Sequence, residues 1–169
     1  MNILKRYTIK GIIFVSILGC ISHFIYDWTG NNAAAGFIFP INESIWEHMK
    51  LFFFPMILYS IYMNKRLEKN NPGVTTSLLF GIILGTMIIP VIYYTYSGIL
   101  GFNITIIDVL ILIVSIFLSF ISVYKLTQSR KLSSCLFILE AAVIIIAICF
   151  ILFTYYPPKI NLFEDPTIQ

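Results

Sequence analysis

The stretch ITIIDVLILIVSIFLSFISVYKLTQSRK (Ile104–Lys131) carries both signals that decide the fold. From Ile104 to Tyr124 it is apolar apart from Asp108 and a few hydroxyls, and it matches the roughly 20 residues needed to cross about 30 Å of hydrocarbon. It then turns basic, with Lys125, Arg130 and Lys131 close together.

The same alternation runs along the whole 169-residue chain. Nine of its 11 Lys and Arg residues fall in three clusters: Lys5, Arg6 and Lys10; Lys65, Arg66 and Lys69; Lys125, Arg130 and Lys131. Only Lys50 and Lys159 lie elsewhere. Apolar runs between the clusters predict membrane-spanning helices over about 11–28, 43–63, 74–96, 104–124 and 134–155, with a polar tail over 156–169. Basic residues gather in cytoplasmic loops, so all three clusters are expected inside. Five spans satisfy that; an even number would strand one cluster outside. The expectation is a single all-α integral membrane domain, a bundle of five transmembrane helices. Its N-terminus is inside, its C-terminal tail outside, and it is multi-pass in the cell membrane.

Composition agrees. The apolar share is 59% and the charged share 11%, and the mean hydropathy of +0.90 is beyond what a soluble core requires. The net charge of +3 does not point to nucleic acid, because the basic residues flank spans and belong at lipid headgroups. The expected partners are the lipid bilayer and either a homo-oligomer or a membrane partner subunit. The first span has no A-x-A-like cleavage site at its outer end and is expected to be retained. Cys20, Cys135 and Cys149 sit in apolar runs without CxxC spacing and read as packing residues.

Ser77, Gly81 and Gly85 repeat every four residues, which lets another helix approach closely. Pro55 and Pro90 are expected to bend their helices. AAAGFIFP (Ala33–Pro40) is too short to cross and too apolar for a solvated loop, so it predicts a surface-lying or re-entrant segment. Tyr26, Trp28, Trp46, Tyr93, Tyr94, Tyr96, Tyr155 and Tyr156 are expected at the outer interface.

Polar residues at membrane depth are the candidates for function. Ser16, Cys20, His23 and Asp27 share a stripe on the first span, and Asp108, Ser115, Ser119 and Ser122 share one on the fourth. Both stripes are expected to face inward. The second span opens NESIWEHMK (Asn42–Lys50). On a helix Glu43, Glu47 and Lys50 share a face, and His48 points roughly 100° away from Glu47. Ser44 and Glu47 also fit a capping box. His23, Asp27, Asn42, Glu43, Glu47, His48 and Asp108 therefore form the candidate polar site in the outer third. Glu164 and Asp165 on the tail are expected to fold over it beyond the rigid Pro157–Pro158.

Three readings stay open. One is a ligand- or ion-binding or transport-type module with an outward-facing polar site. Another is a membrane-embedded, metal-dependent hydrolase. There His23, His48 and a carboxylate, Glu47 among the candidates, hold a divalent metal, and Glu47 serves as general base. The third is an accessory or assembly subunit whose polar residues only specify packing. No nucleophile motif is present, which weighs against an enzyme, and no cofactor beyond a divalent metal comes into view. Glu140, deep in the last span, reads as a protonated acid bonded to another helix or as a proton relay.

Two stretches, NESIWEHMKLFFFP (Asn42–Pro55) and YYPPKINLFEDPTIQ (Tyr155–Gln169), resemble a family of small multi-pass bacterial membrane proteins of unknown function. The likeness extends over most of the chain and includes His23-Phe-Ile-Tyr-Asp27. The resemblance puts weight on Asn42, Glu43, Trp46, Glu47, His48 and Asp165, and implies no reaction, ligand or partner.

Overall fold

Among the described residues, the chain forms six α-helices and two single 3₁₀ turns, and no strand. The computed structural model describes residues 2–166, apart from the side chain of Ser133. The expected tail positions 167–169 lie outside the described residues. In order, the helices are α1 (Ile3–Trp28), α2 (Ala33–Gly36), α3 (Ile45–Leu67), α4 (Val74–Leu100), α5 (Thr105–Ser129) and α6 (Leu136–Tyr155). A 3₁₀ turn over Ser133–Cys135 leads into α6, and another over Asn161–Phe163 follows it.

Four of these helices, α1, α4, α5 and α6, are long and apolar enough to cross a membrane. The fifth long helix, α3, carries Glu47 and Lys50 near its start and is not among the four. Several helices outrun the expected spans. α1 begins at Ile3 rather than near Gly11, and α5 continues to Ser129 beyond Tyr124. A helix has no reason to stop where the hydrocarbon does, because its backbone bonds are internal and Lys5, Arg6 and Lys10 tolerate it.

α3 is the hub. It packs against α1, α4, α5, α6 and the 3₁₀ turn of the tail. Its inner face runs from Trp46 and Met49 through Phe52, Phe53 and Met56 to Tyr59 and Met63, all buried. Trp46 therefore differs from the expectation of an interfacial ring. It is buried among Phe150, Phe153 and Phe163, with ring centroids at 4.6, 5.7 and 4.8 Å. By contrast α6 buries only Val143, Phe150 and Thr154 and exposes Ile144, Ile145, Ile148 and Leu152.

Glycines set the closest helix contacts. Gly81 faces Val123 and Ser119 of α5, and Ser119 donates a 2.8 Å hydrogen bond to the Gly81 carbonyl. Gly85 leaves room for the ring of Phe52 on α3. The small residues of α4 thus serve packing within the chain, and Ser77 beside them is buried. On α1 the buried face is Gly11, Val15, Gly19 and Ser22. The stripe of Ser16, Cys20, His23 and Asp27 does not face inward as a whole: Cys20 and Asp27 are exposed. Backbone approach is worth more there than burying a weakly polar row, so the glycine face wins the interior.

The three basic clusters end up at one end of the bundle. The ring of Tyr7 near the start of α1 lies 5.9 Å from that of Tyr62 near the end of α3, and Gly73 before α4 lies beside Arg130 after α5. Pro55 and Pro90 lie inside continuous helices and terminate neither.

Candidate functional site

At the end of the bundle opposite the basic clusters, three side chains from separate segments converge. His23 comes from the last two turns of α1, Glu43 from the loop before α3, and His48 from the first turn of α3. Glu43 lies between the two imidazoles. Its Oε1 is 3.7 Å from His23 Nε2, and its Oε2 is 3.3 Å from His48 Nε2. The two rings lie 5.6 Å apart, centroid to centroid. One ligand atom from each of the three lies within 4.8 Å of the others. The group remains reachable from outside: the side chains are 32%, 45% and 23% exposed for His23, Glu43 and His48.

Local sequence dictates this arrangement. Ser44 is the N-cap of α3, and its hydroxyl accepts a 3.3 Å hydrogen bond from the Glu47 amide. The helix therefore begins after Glu43, and the helical face expected for Glu43 with Glu47 does not form. Asn42 accepts from the Ser44 amide at 3.0 Å, which turns the chain and sends Glu43 towards His48. The Glu43 amide donates to Asp165 of the tail at 3.2 Å. Hydrogen bonding with His48 leads the causes that hold the Glu43 carboxyl below its ordinary pKa, ahead of opposing desolvation and aided by the charges of both histidines. His48 Nδ1 lies 3.0 Å from the Ser44 carbonyl. A carbonyl only accepts, so Nδ1 carries the hydrogen and Nε2 faces Glu43. His23 Nδ1 is buried and has no hydrogen-bond partner among the described residues.

Glu47 belongs to a different construction, apart from the His23–Glu43–His48 group. Its Oε2 is 2.7 Å from Lys50 Nζ, with the two side chains only 3% and 0% exposed. Lys50 also donates to the Gly36 carbonyl at 2.9 Å and to Thr154 Oγ1 at 2.5 Å. Glu47 Oε2 accepts a further bond from the Ile41 amide at 3.0 Å, and the Thr154 hydroxyl, 3.3 Å from Oε1, gives its one hydrogen to the nearer Phe150 carbonyl at 2.6 Å. A buried ion pair survives only when its remaining donors and acceptors are satisfied, and here α2, α3 and α6 all contribute. The short helix Ala33–Gly36 brings the Gly36 carbonyl to Lys50, and Tyr155 ties it to α6 through a 2.6 Å bond to the Ala33 carbonyl.

The remaining candidates scatter around this centre. Asp108, in the first turn of α5, accepts a short hydrogen bond from Tyr96 of α4 and adds its negative field to His48. Asp27 is exposed at the end of α1, outside the His–Glu–His group. Glu164 is exposed and lines a separate cavity of about 460 Å³ with Tyr93, Tyr94, Asn103 and Asn161. Asp165 reaches the Glu43 backbone because Phe163 seats the tail on Trp46. Glu140 is half-buried on α6 and makes no hydrogen bond or ion pair among the described residues.

One participant escaped the sequence reading, which places Lys50 on a face with Glu47 and gives no sign of Thr154. Lys50 is three residues from Glu47, a spacing that is readable as a helical pair. Thr154 lies 104 residues beyond Lys50, and nothing in the sequence marks it as a partner.

Residues 1–168 match a family described as a family of unknown function, DUF6512. No curated protein and no solved structure matches the chain.

Proposed function

Since the chain belongs to this family of unknown function, its role has to be read from its own residues. We propose that it is a five-span membrane protein, N-terminus inside, that carries an ion- or ligand-binding site on its outer face. The observation that carries this reading is the convergence of His23, Glu43 and His48, reachable from outside, at the end opposite the basic clusters. Residues kept only for packing would be buried and fully paired, as Glu47 and Lys50 are. The three of the cluster are partly exposed.

Crossing by α3 is supported by its length and by its neighbours. Its 23 residues rise about 35 Å at roughly 1.5 Å each. Its two early charges neutralise each other inside a jacket of the other helices. Orientation is supported by the single basic end, which faces the cytoplasm of a bacterial cell membrane. Against the hydrolase reading, Glu47 is buried and its Oε2 is held by Lys50 and the Ile41 amide.

Stability separates a binding site from a packing network. Sites built to bind are not optimised for the fold, so their removal costs little. In detergent with chelator present, His23→Ala, Glu43→Gln and His48→Ala should melt close to wild type, whereas Lys50→Met should melt far lower. If the three cluster variants melt as low as Lys50→Met, the polar group is structural and the binding-module reading fails.

A further inference from the structure

We propose that the outer site binds one divalent transition-metal ion, with zinc the best fit, through His23, Glu43 and His48. The proposal deepens the binding-module reading and rests on it.

The spacing of donor atoms is the first support. Tetrahedral zinc with bonds of about 2.0–2.1 Å places neighbouring ligand atoms about 3.3 Å apart. The His48–Glu43 and His23–Glu43 separations are 3.3 and 3.7 Å. The widest separation, no more than 4.8 Å, closes by turning the His23 ring, which no hydrogen bond through Nδ1 restrains.

The second support is the orientation of His48. Its Nδ1 hydrogen is committed to the Ser44 carbonyl, so Nε2 is the ring atom turned to the Glu43 carboxylate, 3.3 Å away, where a metal ion takes the place of the hydrogen bond between them. A backbone carbonyl behind the distal nitrogen is also the arrangement that orients metal-bound imidazole.

The third support is charge. Asp108 near His48 adds the field of a further carboxylate to a group whose histidines are neutral when coordinating. That surplus favours a dication over a single proton. Two imidazoles with one carboxylate select a transition metal over magnesium or calcium, which prefer all-oxygen shells. Three protein ligands also leave a coordination position for water or an exchangeable ligand, as a binding site needs and a structural zinc site does not.

The test uses full-length protein in detergent, stripped with chelator and titrated with zinc chloride by calorimetry, with elemental analysis for stoichiometry. Wild type should take up one equivalent, unaffected by excess magnesium. His23→Ala, Glu43→Gln and His48→Ala should each weaken binding more than about 100-fold, beyond the cost of losing an outer-sphere partner. Asp27→Asn, outside the cluster, should bind like wild type. Cobalt added to wild type should give d–d bands without thiolate charge transfer, a readout that needs no variant to fold. Failure of folded wild type to bind zinc, or zinc retained in both histidine variants, overturns the proposal. So does a thiolate band, which would move the metal to one of the cysteines. Wild type that binds no zinc while the cluster variants still melt normally removes the metal and leaves the binding module. Cluster variants that melt as low as Lys50→Met remove the module itself.

Discussion

Gly19 of α1 lies against the carbonyl oxygen of Leu51 on α3, so close that a Cβ on Gly19 would stand 2.7 Å from it. That carbonyl has lost its usual partner, because the residue four positions on is Pro55, which has no N–H to donate. The missing hydrogen bond and the missing side chain meet at one point. A backbone oxygen cannot swing aside as a side chain can, so the contact tolerates no added atom.

Gly19→Ala should therefore destabilise the bundle by about 1–3 kcal/mol through overpacking. Gly81→Leu and Gly85→Leu should cost at least as much, since they meet Val123 and Phe52 in the core. Gly98→Ala, with nothing within 4 Å of the new methyl, should leave stability unchanged or slightly improved. Thermal unfolding in detergent ranks the four; a Gly19→Ala protein as stable as Gly98→Ala contradicts the close packing.

Lys50→Met leaves the Glu47 carboxylate buried without its counter-charge. Breaking a buried pair from one side costs about 3–5 kcal/mol, whereas replacing both partners with apolar groups of like size is often nearly neutral. The double variant Glu47→Leu with Lys50→Met should recover most of the loss. A double variant no better than the single one would mean that Gly36 and Thr154, rather than the charge, hold the clasp.

The tail is held by Phe163 on Trp46. Phe163→Ala removes an aromatic pair worth about 0.5–1.5 kcal/mol beyond its area. Limited proteolysis should then cut near Lys159 faster than in wild type while the helices stay intact. Cleavage at the wild-type rate would show that Asp165 alone keeps the tail down.

Topology is checked by single cysteines in a background lacking Cys20, Cys135 and Cys149. Lys65→Cys and Gln128→Cys, both exposed at the basic end, should resist an impermeant thiol reagent in intact cells. Lys159→Cys, exposed on the tail, should react. Labelling at position 65 from outside reverses the orientation.

The helices and their grouping were legible because hydropathy and basic clusters act over whole segments, which is how α4, α5 and α6 announced themselves. Gly81 and Gly85 were legible for the same reason, as a repeat. The details of the polar end were not. Whether Glu43 sits on the helix or before it depends on which residue caps, and Ser44 takes that role, so Glu43 turns to His48 and not to the Glu47 face. Trp46 looked interfacial because rings near span ends usually are; the tail, folding back through Phe163, buries it. Such choices are made by contacts between segments far apart in the chain, and a local pattern does not encode them.

The bond set around Lys50 has a consequence in time. Ribosomes release the chain from the N-terminus onward, and Thr154 is made 104 residues after Lys50. Until α6 is delivered, the charged pair of the second long helix lacks one of its three partners. Arrival of α6 thus completes the bond set of the pair. A nascent protein stalled before Thr154 presents an unfinished polar patch, the kind of defect by which quality control tells an incomplete product from a finished one.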